Sequence, residues 1–295
     1  MKNSKILIIL SFLAIYIVWG STYLFNKIAV TELPAFFLAS IRFFTAGCIM
    51  ILIAYFTKAR LRVSLKELLN ISITSFFFLI LGNSVFVWAL QFVDSGFGSL
   101  IASTNPLFVL LMMRITDKKK MQKKSILGVT LGVLGMILLI SQQEFTAKEG
   151  SLMGILVMLF CVLNWSYGSI FVSKASLPNN FLVSTGYQMI IGGILLGTIS
   201  VFFQEDWSSP LHWSPNVQLA MFFLVVFGGI IAFTSFNFLL KNVSPDKVAT
   251  SAFVNPVIAL FMGWYFLDEK LSAQSIIASC VLLTGVYFIT SRKRK

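Results

Sequence analysis

Histidine is almost missing from this chain and acidic residues are few: His212 stands alone, Asp and Glu together number 11, and Cys48, Cys161 and Cys280 are the only cysteines among 295 residues. Each scarcity excludes a chemistry. The cysteines fall inside apolar runs without paired spacing or neighbouring His or acid. They indicate neither a metal site nor a disulfide framework, and read as small packing residues. No Ser/His/Asp set, His cluster or Gly-x-x-x-x-Gly-Lys stretch occurs, so a membrane enzyme, an ATPase and any bound cofactor lack support. No Asp or Glu falls deep in an apolar run, and a proton carrier built on an embedded carboxylate is therefore not evident. Charged residues make up 12%, where soluble domains hold roughly a quarter.

Apolar residues fill the space: 57% of the chain is hydrophobic and its mean hydropathy is +0.88. A spanning helix needs about 20 mainly apolar residues. Ten such segments can be laid down, at 6–28, 34–56, 68–90, 95–113, 125–140, 151–173, 181–203, 217–240, 246–266 and 272–290. The connections are too short for a soluble domain, and no strands are required. The net charge of +12 does not indicate nucleic acid, because the basic residues sit in short clusters between apolar runs and form no continuous face. It reports topology instead. With both termini in the cytoplasm, only Lys148 and Lys270 fall in outside loops, while Lys27 and Arg42 lie in or at the ends of helices; this is the positive-inside pattern. The basic, apolar start at Lys2, Lys5 and 6–18 could be taken for a signal peptide, but it belongs to an internal repeat and reads as retained.

That repeat is the most informative feature of the chain. Residues 88–106 align without gaps to 238–256, matching Val93 with Val243 and Asn105-Pro106 with Asn255-Pro256 at an offset of 150; Ser125 and Gly135 fall on Ser275 and Gly285 likewise. Upstream, Trp19 pairs with Trp165, Arg42 with Gln188 and Gly47 with Gly193 at an offset of 146. The fold class expected is thus an all-α polytopic membrane protein of ten transmembrane helices in two repeats, 1–145 and 146–295. Five helices is an odd number, so the second copy enters the membrane from the opposite side. Inverted repeats of this kind place a substrate site near the bilayer midplane at their interface.

Candidate site residues emerge from polar and aromatic groups at helical spacing. Trp19, Thr22 and Asn26 step along one face of the first helix, as do Asn164, Tyr167 and Phe171 on the sixth. Ser84 and Trp88 on the third, Asn237 on the eighth, and the repeat mates Arg42 and Gln188 complete the set with Asn105 and Asn255. These residues suit a cavity for a small amphipathic solute; for any one of them, helix-to-helix hydrogen bonding is the alternative. Pro106 and Pro256 are expected helix breaks that free the carbonyls of Ala102 and Ala252. Arg42 needs a partner, either structural or the carboxylate of a substrate. Gly128, Gly132 and Gly135 form a Gly-x-x-x-Gly face that serves either packing within the chain or a homodimer.

On Trp19-Gly20-Ser21-Thr22-Tyr23, Arg42-Phe43, Asn105-Pro106, Asn255-Pro256 and Leu267-Asp268-Glu269-Lys270-Leu271, the chain resembles, over its whole length, the EamA group of the drug/metabolite transporter superfamily. The resemblance implies a ten-helix fold in the cytoplasmic membrane with both termini cytoplasmic. It also implies alternating access and export of amino acids or related metabolites. In the first repeat Asp117-Lys118-Lys119-Lys120 stands where the family often has an acid before a base. The chain lacks the first-helix glutamate of small multidrug exporters, which argues against cation/proton exchange. A broad drug exporter and a non-transporting membrane sensor or assembly subunit remain as alternatives.

Overall fold

A computed structural model describes residues 2–89, 92, 101–116, 118, 122–141, 151–267 and 272–291. Gln91, Val93, Asp94, Asp117, Lys119, Lys120, the loop 142–150, the acidic stretch 268–271 and the basic tail 292–295 lie outside the described residues. Ten helical segments run in order: α1 (residues 2–29), α2 (Ala35–Phe56), α3 (Leu65–Ala89), α4 (Ile101–Thr116), α5 (Lys123–Ile140), α6 (Ser151–Lys174), α7 (Phe181–Phe202), α8 (Pro215–Asn242), α9 (residues 245–267) and α10 (Ala273–Thr290).

Among the described residues seven of these, α1, α2, α3, α6, α7, α8 and α10, hold a stretch long and apolar enough to cross a membrane, where sequence alone suggested ten such spans. Helices α4, α5 and α9 fall short over their described residues alone. Helix α4 is interrupted by a turn at Thr104, and α9 begins as the short turn Pro245–Val248 before the 17-residue helix Ser251–Leu267. Helix α5 reaches 18 residues only by including Lys123 and Lys124. The outward surface is apolar, with Phe56 77% and Phe202 81% exposed, as expected of side chains that meet lipid rather than water.

Repeat mates pack on each other. Helices α2 and α7 are both 22 residues long, begin 146 residues apart and make the most extensive helix contact in the molecule; α5 and α10, both 18 residues and 150 apart, make the next. Their crossings are reciprocal. A Cβ on Gly47 would lie 2.8 Å from the Gly186 carbonyl, and at the equivalent place across the pair Ser40 Oγ donates to the Gly193 carbonyl at 2.8 Å. In the second pair a Cβ on Gly128 would meet the Gly285 carbonyl at 2.6 Å, and one on Gly285 the Gly128 carbonyl at 2.6 Å. The Gly-x-x-x-Gly face of α5 is therefore occupied inside the chain, with Gly132 under the Phe253 ring and Gly135 against Leu282. Even the helix ends match: Lys58 and Gln204 both adopt φ 56°, and the 6→1 bonds Ala59 N to Ala54 O (2.9 Å) and Glu205 N to Ser200 O (3.0 Å) close both helices in the same left-handed cap.

One end of the molecule is tied by acids on helix N-termini. Glu205, in the α7–α8 loop, accepts from Phe36 N at 3.2 Å and Phe37 N at 2.7 Å at the start of α2, and from Ser200 Oγ at 2.7 Å. Glu32, in the α1–α2 loop, accepts from Ser214 N at 3.0 Å, at the N-cap of α8. Unpaired N–H groups and the helix dipole favour a carboxylate at both places. Trp207 and Trp213 of the same loop pack on Phe37 with ring centroids 5.0 and 6.4 Å away.

Hydrogen bonding to Ser214 holds the Glu32 carboxyl below its ordinary 4.5. Its stabilising contribution is therefore complete above that value and disappears as pH falls through the lowered one. The melting midpoint of the detergent-purified protein should drop more on acidification than that of Glu32→Gln, and parallel profiles would refute the assignment. Gly128→Val should lower the midpoint at neutral pH, at a cost of roughly 1–3 kcal/mol from overpacking. Thr130→Val on the exposed side of α5 serves as the control.

Candidate functional site

Three helices reach the centre through widened turns. Ala14–Val18 of α1, Phe76–Ser84 of α3 and Leu224–Phe233 of α8 are π-helical. Such turns bond i to i+5 with poorer alignment, leave carbonyl lone pairs open and recur at functional sites. Trp19 directly follows the first of them, and its indole N–H donates to the Gly228 carbonyl in the third at 3.4 Å. Its repeat mate Trp165 lies against Gly82 in the second, where a Cβ would come within 2.8 Å of the indole. Gly82 and Gly228 are themselves 146 residues apart. Each tryptophan thus meets the equivalent glycine of the opposite half, Trp19 through the Gly228 carbonyl and Trp165 through the bare Cα side of Gly82, where only a missing side chain allows so close an approach.

The two indoles meet edge to face at 6.0 Å, and Phe78, Phe233 and Phe236 close around them; the Phe236 centroid lies 4.9 Å from Trp19 and 5.5 Å from Trp165. Phe78 and Phe236 are fully buried. This aromatic centre carries both an apolar surface and, through the Trp19 indole, a polar handle.

Above it on the same face of α1, Thr22 Oγ1 donates to the Trp19 carbonyl at 2.7 Å and Asn26 Nδ2 to the Thr22 carbonyl at 2.8 Å. The Asn26 side-chain oxygen is thereby turned toward α2, where it accepts from Arg42 NH1 at 2.8 Å; Asn83 Oδ1 of α3 accepts from Arg42 NH2 at 2.7 Å. The guanidinium also lies 4.4 Å from the Phe43 centroid. In the other half Gln188 Oε1 accepts from Asn237 Nδ2 at 3.0 Å, and Thr185 Oγ1 accepts from the same amide at 3.3 Å. Gln188 Nε2 and Asn237 Oδ1 are buried without a partner.

The Asn-Pro asparagines tie helices together rather than facing one another. Asn105 Oδ1 accepts from Ser166 Oγ of α6 at 2.7 Å. With its amide nitrogen turned inward, Asn255 donates to the carbonyls of Ile15 at 3.1 Å and Tyr16 at 3.2 Å, in the π-helical turn of α1, and to Ser251 O at 3.1 Å. The two prolines differ. Pro256 lies inside the helix Ser251–Leu267, whereas Pro106 is second in Asn105–Thr116, where an N–H would be unpaired in any case. The mid-helix break expected at Pro106 is thus a fresh helix start.

Other candidates stand apart from the centre. Ser84 Oγ donates to Leu79 O at 2.8 Å and Asn164 Nδ2 to Phe160 O at 2.7 Å, each within its own helix. Tyr167 is 43% exposed and packs beside Phe77 and Phe171. Trp88 packs on Phe92, with ring centroids 5.1 Å apart, at the far end of α3. Sequence reasoning missed Asn83 and the three phenylalanines. A π turn holds extra residues and rotates the rest of its helix, so α-helical spacing counted from Trp88 arrives at Ser84 while Asn83 makes the contact. Phe78, Phe233 and Phe236 lie in runs too uniformly apolar to show a face. Among the described residues no cluster of His, Cys, Asp or Glu could hold a metal ion.

Long apolar helices and an apolar exterior around buried carboxamides, an arginine and aromatic rings define a multi-pass membrane protein, with the inward polar groups of a transporter. Comparison with known proteins gives the same class. The profile of the EamA-like transporter family matches residues 6–141 and again 152–291. The inner membrane transporter YedA of Escherichia coli K12, itself described as uncharacterized, is 31% identical over 95% of this chain and 89% of its own length. The uncharacterized transporter YoaV of Bacillus subtilis is 22% identical over 96% of each chain, and protein PagO of Salmonella typhimurium 22% identical over 96% of this chain and 92% of its own. A solved crystal structure shares the fold with a TM-score of 0.80 over 95% of both chains at 18% identity. The chain belongs to the EamA-like transporter family, within the drug/metabolite transporter superfamily, and so to transporters rather than enzymes.

The hydrogen-bonding assignments separate two asparagines. Asn255→Leu should lower the melting midpoint, since leaving buried acceptors unsatisfied costs about 1–3 kcal/mol. Asn164→Leu, which removes only a bond within its own helix, should change stability by less than about 0.5 kcal/mol. Equal effects from the two would reject this reading of Asn255.

Proposed function

We propose that the protein is a secondary transporter that exports a small neutral or zwitterionic metabolite, such as an amino acid, across the cytoplasmic membrane by alternating access. The observation that carries this reading is the contact between repeat mates: Trp19 meets Trp165, and α2 and α5 pack on their counterparts α7 and α10. Two five-helix repeats, 1–145 and 146–295, inserted in opposite orientations with both termini cytoplasmic, make each half the image of the other about an axis in the membrane plane. Rocking about that axis converts one open side into the other with nearly the same contacts.

Substrate contacts under this reading come from Trp19, Thr22, Asn26 and Arg42 on one side of the centre and Gln188 and Asn237 on the other. Asn105 and Asn255 act at the joints between α4 and α6 and between α9 and α1, which must be remade as the halves move. Tyr167, Asn164, Ser84 and Trp88 lie further from the centre and have a weaker claim.

Purified protein in liposomes, given a pool of labelled amino acids with and without an imposed pH gradient, should show saturable flux of one chemical class. Trp19→Ala, Asn105→Ala and Asn255→Ala should each reduce that flux at least several-fold while remaining inserted. Full activity in all three would remove the proposed site, and absence of flux for every probe would favour a sensor or assembly role.

A further inference from the structure

Arg42 is a cation buried at a helix crossing. The α2–α7 crossing runs from Ser40 on Gly193 to Gly47 beside Gly186, and Arg42 lies between those two points, only 8% exposed. Its partners are the oxygens of Asn26 and Asn83 and the face of Phe43, all neutral, and its Nε has no partner. Among the described residues no carboxylate is paired with it. A charge in such surroundings is costly and is retained for function or paired with something that arrives.

Packing alone does not call for the charge. Its repeat mate Gln188 fills the equivalent position, only 2% exposed, with a neutral carboxamide held by Asn237 of the next helix. The fold thus accepts a neutral side chain at this crossing in one half and carries a guanidinium in the other.

The supporting carboxamides are oriented rather than neutralising. Asn26 spends its amide hydrogens on the Thr22 carbonyl and offers Arg42 only oxygen. Both terminal nitrogens are thereby fixed in place, each spending one hydrogen on a carboxamide, and Nε on the guanidinium's remaining edge has no partner. That edge matches the two oxygens of a carboxylate. Asn26 is seven residues from Trp19 on one face of α1, about 10 Å at 1.5 Å per residue, so the aromatic centre lies one small-molecule length away.

Resting on the transport reading above, we propose that Arg42, positioned by Asn26 and Asn83, anchors the carboxylate of the substrate, whose apolar body turns toward Trp19 and the rings around it. A single monovalent cation with one free edge suits a carboxylate better than a doubly charged phosphate. The substrate is then an amphipathic carboxylic or amino acid, and its amide is rejected.

The test compares labelled amino acids and fatty or aryl carboxylic acids with their matched carboxamides, in liposome flux and in thermal stabilisation of the purified protein. Wild-type protein should carry and be stabilised by an acid at least roughly tenfold better than by its amide, as expected for losing one partner of a buried charge pair. Arg42→Gln, which copies the residue of the other half, should lose that preference, and Arg42→Lys should keep part of it. Equal handling of acid and amide by wild type overturns the proposal without any variant, as does an unchanged preference in a folded Arg42→Gln. Stabilisation by acids alone, without flux, keeps the anchor and defeats the transport reading. Flux of amides and acids alike does the reverse.

Discussion

Lipid tails are as apolar as leucine, so helices in a bilayer gain little by burying apolar surface against one another and associate through close packing and hydrogen bonds. Here that association rests on a few points where missing side chains let backbones touch: Gly47 on Gly186, and Gly128 on Gly285. Because the points are reciprocal between repeat mates, two crossings fix four of the ten helices in a symmetric frame. The remaining helices hang from that frame. The aromatic centre applies the same principle between side chain and backbone where Trp165 sits on Gly82.

Polar groups within the frame obey a second rule, that every one is expensive unless paired. Carboxamides meet it most economically because they both donate and accept. Asn26 shows this by bonding its own helix through nitrogen and Arg42 through oxygen, and Asn255 by filling the open carbonyls of a widened turn. Groups are left over at Arg42 Nε, Gln188 Nε2 and Asn237 Oδ1, and at Asp246 Oδ1 near the start of α9. A protein selected only for stability would have little reason to keep them.

Much of this architecture is legible in the sequence, and the limits are physical. The ends of α2 and α7 can be read to within one or two residues, because both are uninterrupted apolar stretches bounded by polar turns. The repeat exposes the mate relation of Trp19 and Trp165, yet that they touch is a property of tertiary packing and leaves no spacing signal. Helices α4 and α9 read as spans broken at Pro106 and Pro256, whereas the turns that divide them lie at Thr104 and at Ala249 and Thr250. The Gly-x-x-x-Gly face is visible, but its occupants, α9 and α10, lie more than a hundred residues away in the chain. Asn83 escapes notice because three π-helical stretches break the periodicity by which faces are counted, and nothing in their apolar runs announces them.

The two acid clasps bear on how the halves are held together. Glu205 belongs to the second half and holds the start of α2 in the first, while Glu32 belongs to the first and holds the start of α8 in the second. Each half therefore grips the other at the same end of the molecule. A pair of crossed straps of this kind resists spreading at its own end, so that parting the halves there would first require both carboxylates to leave the helix N-termini they hold.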